Sequence, residues 1–249
     1  MLNVTDLGQG TPILWIHGFP LASSIYEHQL AIRNVRHVMP DLPGFGQSRP
    51  QGSDVSIDDY ARICIDLLDH RGIDSAVLAG LSMGGYICFA IARLAPERMR
   101  GLILIDTRET ADTEEARKGR YDSIEKVKKE GVRPIVESML PKMLTAAAPT
   151  EMRDRVREIM MSSSPEGVCA ALRAMATRPD STPLLTEIKV PTLIIVGEQD
   201  AITPPADAER MAAAISGSRL VRIEGAAHLS NYEKATEVNG AIAKFVSGL

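Results

Sequence analysis

The 249-residue chain is short of aromatics, with one Trp, five Tyr and four Phe, and it has only three cysteines. It also has no long basic run and no apolar stretch approaching the length of a bilayer span. The last three shortages each remove a class. An odd number of cysteines without metal-type spacing argues against both a disulfide framework and a cysteine-based zinc module. Cys64, Cys88 and Cys169 each fall in a segment with helical spacing, so they are expected to be buried, reduced and structural. Without about 20 consecutive apolar residues there is no membrane-spanning helix. The opening "MLNVTDLGQGTP" lacks the basic start and apolar core of a secretory signal. A cytoplasmic protein with no membrane partner is the expectation that follows. A formal net charge of −4 gives polyanions no reason to collect on the surface, so nucleic acid is not an expected partner.

What is present is an ordinary globular composition, 45% apolar and 24% charged, which excludes collagen-like and disordered chains. The length fits one large α/β domain or a domain carrying a sizeable insertion. Short apolar runs bounded by Gly, Pro or Asp recur: "PILWIHG" at 12, "RHVMPD" at 36, "AVLAG" at 76, "GLILID" at 101, "PTLIIVG" at 191 and "RLVRIEG" at 219. Each reads as a buried strand of a parallel sheet. Segments with helical spacing separate most of them, notably Ile57 to Arg71 and Met83 to Leu94, as in βαβ units with right-handed crossovers.

That alternation lapses between Thr107 and Ile188, where four amphipathic helical stretches replace any strand pattern. Residues 107–188 are therefore expected to be a helical insertion, with 1–106 and 189–249 forming the core. Ile135, Val136, Met139, Leu140, Met143 and Leu144 make one apolar stripe, kinked at Pro141, and Met152, Val156, Ile159 and Met160 make another. Ser164 and Pro165 mark the start of a further helix. The methionines are expected to fill the insertion's own core. After it, Thr203 is expected to cap a helix from Pro204 to Ile215, and one last helix to run from Ser230 or Asn231 to Val246.

The stretch "VLAGLSMGGYICFA" begins as a strand, ends as a helix and places Ser82 between two glycines at the bend. A G-x-S-x-G string arises by chance in roughly one chain in ten of this length, so its position matters more than its presence. A strand-to-helix corner is the geometry a nucleophile elbow requires, and side chains at Gly80 or Gly84 would crowd the serine. Serine is a poor nucleophile at its ordinary pKa and needs an imidazole base oriented by a carboxylate. His228, in "EGAAHLSNYE", lies between the last strand and the last helix, at the same carboxyl edge of the sheet as Ser82. His70 sits near a helix end, and His28 and His37 are expected at the surface. Asp200, in "IIVGEQDAITPP", follows another strand end and is the favoured acid, with Asp106 directly after "GLILI" as its rival. The order Ser82, Asp200, His228 is the one expected of the α/β-hydrolase arrangement. The turn "WIHGFP" offers the Phe19 amide, and the start of the elbow helix offers the Met83 amide, as donors to an oxyanion. His17 is expected to brace that turn rather than to move protons.

On "HGFP", "DLPGFGQS", "GLSMGG", "GEQDAITPP" and "GAAHLSNYE", the chain resembles the α/β-hydrolase superfamily along nearly its whole length, and within it small carboxylesterases and 3-oxoadipate enol-lactonase-like hydrolases. The resemblance implies a mostly parallel sheet flanked by helices, with residues 107–188 as a helical cap. It implies Ser82 as nucleophile, His228 as base, Asp200 as acid, and Phe19 and Met83 as oxyanion donors. Because "PILWI" begins a dozen residues in, there is room for about one leading strand, near Leu2 to Thr5, in place of the usual pair. The expected chemistry is hydrolysis of a small ester or lactone with no metal or organic cofactor. Cofactor-free perhydrolysis, C–C bond hydrolysis and a ligand-binding or signalling role on the same fold remain open, as does the oligomeric state, a homodimer included.

Overall fold

In the computed structural model, which describes residues 2–52 and 54–249, the apolar runs pair as their burial requires. Strands β2 (Thr11–Ile16), β3 (Val35–Pro40), β4 (Ala76–Leu81), β5 (Met99–Ile105), β6 (Thr192–Gly197) and β7 (Arg219–Ile223) are parallel to their neighbours, and β1 (Val4–Gly8) lies antiparallel on β3. Among the described residues these form one sheet of order β1-β3-β2-β4-β5-β6-β7. A single leading strand therefore starts the sheet, a little later than Leu2 to Thr5. Every residue of β4 and β6 is buried, as expected of strands covered on both faces.

Alternation along the strands divides the interior into two layers. Leu14, Ile16, Leu78, Leu102, Leu104 and Ile194 pack with α1 (Ile57–His70) and α2 (Met83–Leu94). Ile13, Trp15, Val77, Ala79, Ile103, Ile105 and Ile195 face the other way, toward α9 (Ala235–Val246). Helix α1 starts on a capping box, in which the Ser56 hydroxyl accepts the Asp59 amide and the Asp59 carboxylate accepts the Ser56 amide.

Between β5 and β6 run α3 (Glu114–Glu130), α4 (Arg133–Met143), α5 (Thr150–Met161) and α6 (Pro165–Ala176), the last capped by Ser164. Their apolar faces join both layers: Ile124, Val127 and Val168 one, Val136, Leu140, Val156 and Met160 the other. Met143, Met160 and Met175 are buried there, and α4 continues through Pro141 to Met143.

The structure corrects four expectations. His37 is buried, because strand alternation turns it inward to stack on Trp15, and its Nε2–H donates to Ile32 O at 3.0 Å. Cys169 is only partly buried, whereas Cys64 and Cys88 are fully buried and free. Helix α7 spans Pro205–Ala214 and begins after Pro204, since the Thr203 hydroxyl is committed to Asp200 instead of a cap. The terminal helix is two, α8 (Ser230–Glu233) and α9, with Lys234 non-helical between them. No Pro or Gly marks that break. Tertiary hydrogen bonds made by α8, in which Asn231 Nδ2 donates to Ile25 O and Glu233 Oε1 accepts the Thr145 amide, take precedence over a continuous helix.

Candidate active site

Ser82 occupies the single step between β4 and α2, and its φ of 52° and ψ of −114° are unusual for a residue with a side chain. Such a conformation costs on the order of 1–3 kcal/mol and persists only when its surroundings hold it. Here they do. The Ser82 amide donates to Ile105 O at 3.0 Å, while the Ser82 carbonyl accepts the Gly85 amide at 2.8 Å and the Thr107 hydroxyl at 2.7 Å. The flanking glycines are sterically required: a Cβ at Gly80 would lie 2.4 Å from Gly84 O, and one at Gly84 would lie 1.9 Å from Ile16 O.

The other groups arrive at the same carboxyl edge because parallel strands all end there. His228 follows β7, and its loop presses so closely on the end of β6 that a Cβ at Gly197 would lie 2.1 Å from Ala227 O. Its Nε2 lies 2.9 Å from Ser82 Oγ, and its Nδ1 lies 2.8 Å from Asp200 Oδ2. Asp200, three residues beyond β6, accepts the Ile202 and Thr203 amides on Oδ1 and the Thr203 hydroxyl on Oδ2. A carboxylate so placed accepts a hydrogen bond from Nδ1–H and leaves Nε2 as the acceptor for the serine hydroxyl. Burial works against ionising Asp200, but attraction to His228 and the hydrogen bonds outweigh it and hold its pKa below the usual value. For His228 burial likewise opposes the charged form, and the Asp200 charge and hydrogen bond overcome it, raising its pKa.

Asp106 does not reach the imidazole as its acid partner. It directly follows β5 in a left-handed conformation (φ 44°), accepts the Gly197 amide on Oδ1 at 2.8 Å, and accepts the Ser230 amide and hydroxyl on Oδ2 at 2.9 and 2.6 Å. It therefore ties β6 to the segment just after His228. Complete burial and the neighbouring Asp200 charge push its pKa up to about 7.

The turn after β2 lies against the elbow: a Cβ on Gly18 would sit 3.1 Å from both Leu81 O and Ser82 Cβ. His17 is buried, its Nδ1–H donating to Gly18 O at 2.9 Å and its Nε2 accepting the Leu42 amide at 2.9 Å. Burial holds its pKa down against the help of the Gly18 carbonyl. Both ring nitrogens are thus spent on bracing the loop. Among the described residues the Phe19 amide donates no hydrogen bond, and Met83 opens α2, where the amide has no intrahelical acceptor. His28 and His70 are exposed and take no part.

Sequence reasoning passed over Thr107 and assigned Thr203 to a helix cap. Thr107 directly follows Asp106, the rival acid, and Thr203 lies three residues after Asp200, and that nearness was the available signal. Among the described residues no three or more His, Cys, Asp or Glu side chains are grouped to hold a metal ion, and no helix is long and apolar enough to cross a membrane.

A family model described as the alpha/beta hydrolase fold matches residues 11–235. The chain is 31% identical to the AB hydrolase superfamily protein YisY of Bacillus subtilis, over 98% of this chain and 94% of that protein. It is 28% identical to 3-oxoadipate enol-lactonase 2 of Acinetobacter baylyi, over 97% of this chain and 91% of the relative. A solved structure of a thermophilic esterase from Thermogutta terrifontis superposes with a TM-score of 0.97 at 39% identity, covering 99% of this chain and 93% of that one.

Proposed function

This chain belongs to the α/β-hydrolase fold family, and from that premise we propose that it is a serine hydrolase of small carboxylic esters or lactones. The observation that carries the reading is the unbroken relay from Ser82 Oγ to His228 Nε2 at 2.9 Å and from His228 Nδ1 to Asp200 Oδ2 at 2.8 Å. Ser82 attacks the carbonyl carbon while His228 removes its proton, and Asp200 stabilises the imidazolium that forms. The amides of Phe19 and Met83 hold the developing oxyanion. His228 then gives its proton to the leaving alkoxide, producing an acyl-enzyme. Water attacks in the second half-reaction, with His228 again as base, and Ser82 is released. The chain's own residues supply every proton transfer.

Residues 107–188 act as the cap over this site, on a core of 1–106 and 189–249. Supporting this, the Leu229 amide donates to Met143 O at 3.0 Å, Ser163 Oγ to Pro20 O at 3.1 Å and the Ser164 amide to Gly44 O at 2.8 Å, so the helices touch the loops around the site. Likeness to proteins named as an esterase and an enol-lactonase supports the substrate class.

The test is Ser82→Ala, measured with nitrophenyl esters and simple lactones. The variant should fold and lose turnover by about 10⁴-fold or more. A fluorophosphonate should add one mass increment to the wild type and none to the variant. Undiminished ester turnover in Ser82→Ala would end the proposal.

A further inference from the structure

His228 is held in place by amides on both sides of it, and the groups that hold them lead to the helical insertion. The Ala227 amide donates to Glu233 Oε2 at 2.7 Å. The other oxygen of that carboxylate, Oε1, accepts the Thr145 amide at 2.8 Å and the Thr145 hydroxyl at 2.7 Å. On the far side of His228, the Leu229 amide donates to Met143 O at 3.0 Å. Met143 ends α4 and Thr145 opens the link to α5, so both connections run to the same junction. Arg153 of α5 fastens that junction, donating from Nη2 to Thr145 O and from Nε to Ala148 O. Glu233 belongs to neither β7 nor the insertion, yet its side chain joins the residue before His228 to the α4–α5 junction.

On these contacts, and resting on the reading of His228 as the base, we propose that Glu233 is a positioning residue that couples the seating of the α4–α5 junction to the aim of the imidazole at Ser82. A carboxylate is needed because both oxygens must accept. In Glu233→Gln one of them becomes an NH₂ group facing an N–H donor, either that of Ala227 or that of Thr145. One tether then fails, and the imidazole is free to drift from its 2.9 Å contact with Ser82. Misplacement of reacting groups by about 1 Å is enough to cost on the order of 100-fold in rate. The junction also feels the loss: when it shifts, Met143 O and Thr145 move together, and both sides of His228 follow.

The experiment compares Glu233→Gln, Thr145→Val and Thr145→Ser with the wild type, using nitrophenyl acetate hydrolysis per active site titrated with a fluorophosphonate. Glu233→Gln should lower kcat about 10- to 100-fold with KM unchanged. Thr145→Val, which keeps the amide but loses the hydroxyl, should lower it about 3- to 10-fold, and Thr145→Ser should restore it. The Glu233→Gln/Thr145→Val double variant should fall no further than Glu233→Gln alone, because both act through one connection. Wild-type kcat per titrated site in Glu233→Gln, whatever its melting temperature, would show a purely structural role and overturn the proposal. So would additive losses in the double variant. If Glu233→Gln does not fold, equal activity of Thr145→Val and the wild type overturns it, and a loss rescued by serine supports it. Failure of the underlying reading shows separately, as hydrolysis that survives Ser82→Ala.

Discussion

Replacing Asp200 with asparagine removes one charge and almost no volume, and the structure dictates how the new side chain must lie. The amides of Ile202 and Thr203 both donate to Oδ1, at 2.8 and 3.0 Å, so the asparagine carbonyl oxygen has to remain there. Its NH₂ group is then forced into the Oδ2 position, 2.8 Å from His228 Nδ1. A donor at that point selects the imidazole tautomer with the proton on Nε2, which can no longer accept the Ser82 proton. The imidazolium also loses its counterion. Two unit charges 2.8 Å apart interact by about 6 kcal/mol at an effective dielectric constant of about 20. An Asp-to-Asn change in a comparable relay lowers kcat by about 10⁴, and at about 1.36 kcal/mol per decade that is roughly 5.5 kcal/mol of barrier. The two figures agree in size, so Asp200→Asn should reduce kcat by on the order of 10⁴ while the fold survives. Stopped-time hydrolysis of a nitrophenyl ester, with sites counted by fluorophosphonate, measures the loss. Nitrogen-15 spectra of the histidines should show the His228 proton moving from Nδ1 to Nε2. The Asp200 charge raises the His228 pKa, so residual activity in the variant should persist to lower pH than in the wild type. Activity within tenfold of wild type, with the Nδ1–H tautomer retained, would refute the argument.

Further outcomes follow from the same geometry. Asp106 has a folded pKa of about 7 against an ordinary 3.8, so between those values the folded state holds a proton that the unfolded state has lost. Its contribution is fully present below the unfolded value and is lost as pH rises through the folded one, with a slope of up to about −1.4 kcal/mol per pH unit. Urea titrations from pH 4 to 7 should therefore show wild-type stability declining relative to Asp106→Asn, and parallel curves would contradict the assignment. Gly84→Ala places a methyl group 1.9 Å from Ile16 O and should destabilise by about 3 kcal/mol, near the upper end for overpacking. Gly119→Ala, inside α3 with open space around it, should instead stabilise by about 0.5–1 kcal/mol, and calorimetry of the pair checks both signs.

Much of the framework was legible in the chain because its signals are short-ranged. A run such as "TLIIVG", apolar at every position, has to be covered on both faces, and β6 is buried along its whole length. The glycines around Ser82 announce a crowded corner, and the Cβ distances at Gly80 and Gly84 bear this out. The readings that missed were local guesses overruled by distant partners. His37 has no neighbouring feature in the chain to draw it inward, but a Trp15 face and the Ile32 carbonyl hold it in the interior. Thr203 beside two prolines has the look of a helix cap, but a carboxylate three residues earlier claimed its hydroxyl. Ser230 to Val246 reads as one helix, and contacts to Gln29, Ile25 and Thr145 divide it.

Left to itself, the sequence determines where the strands and most of the helices lie, and that Ser82 stands at a strained corner, since these depend on neighbours within a few residues. Which of two aspartates faces His228 is a different matter. Asp106 and Asp200 both follow strand ends, and only the approach of β6 and β7 puts Asp200 on Nδ1 while turning Asp106 toward Gly197 and Ser230. The bridge from Thr145 through Glu233 to Ala227 was equally invisible, because it joins residues 88 apart in the chain by hydrogen bonds that exist only when the insertion is docked.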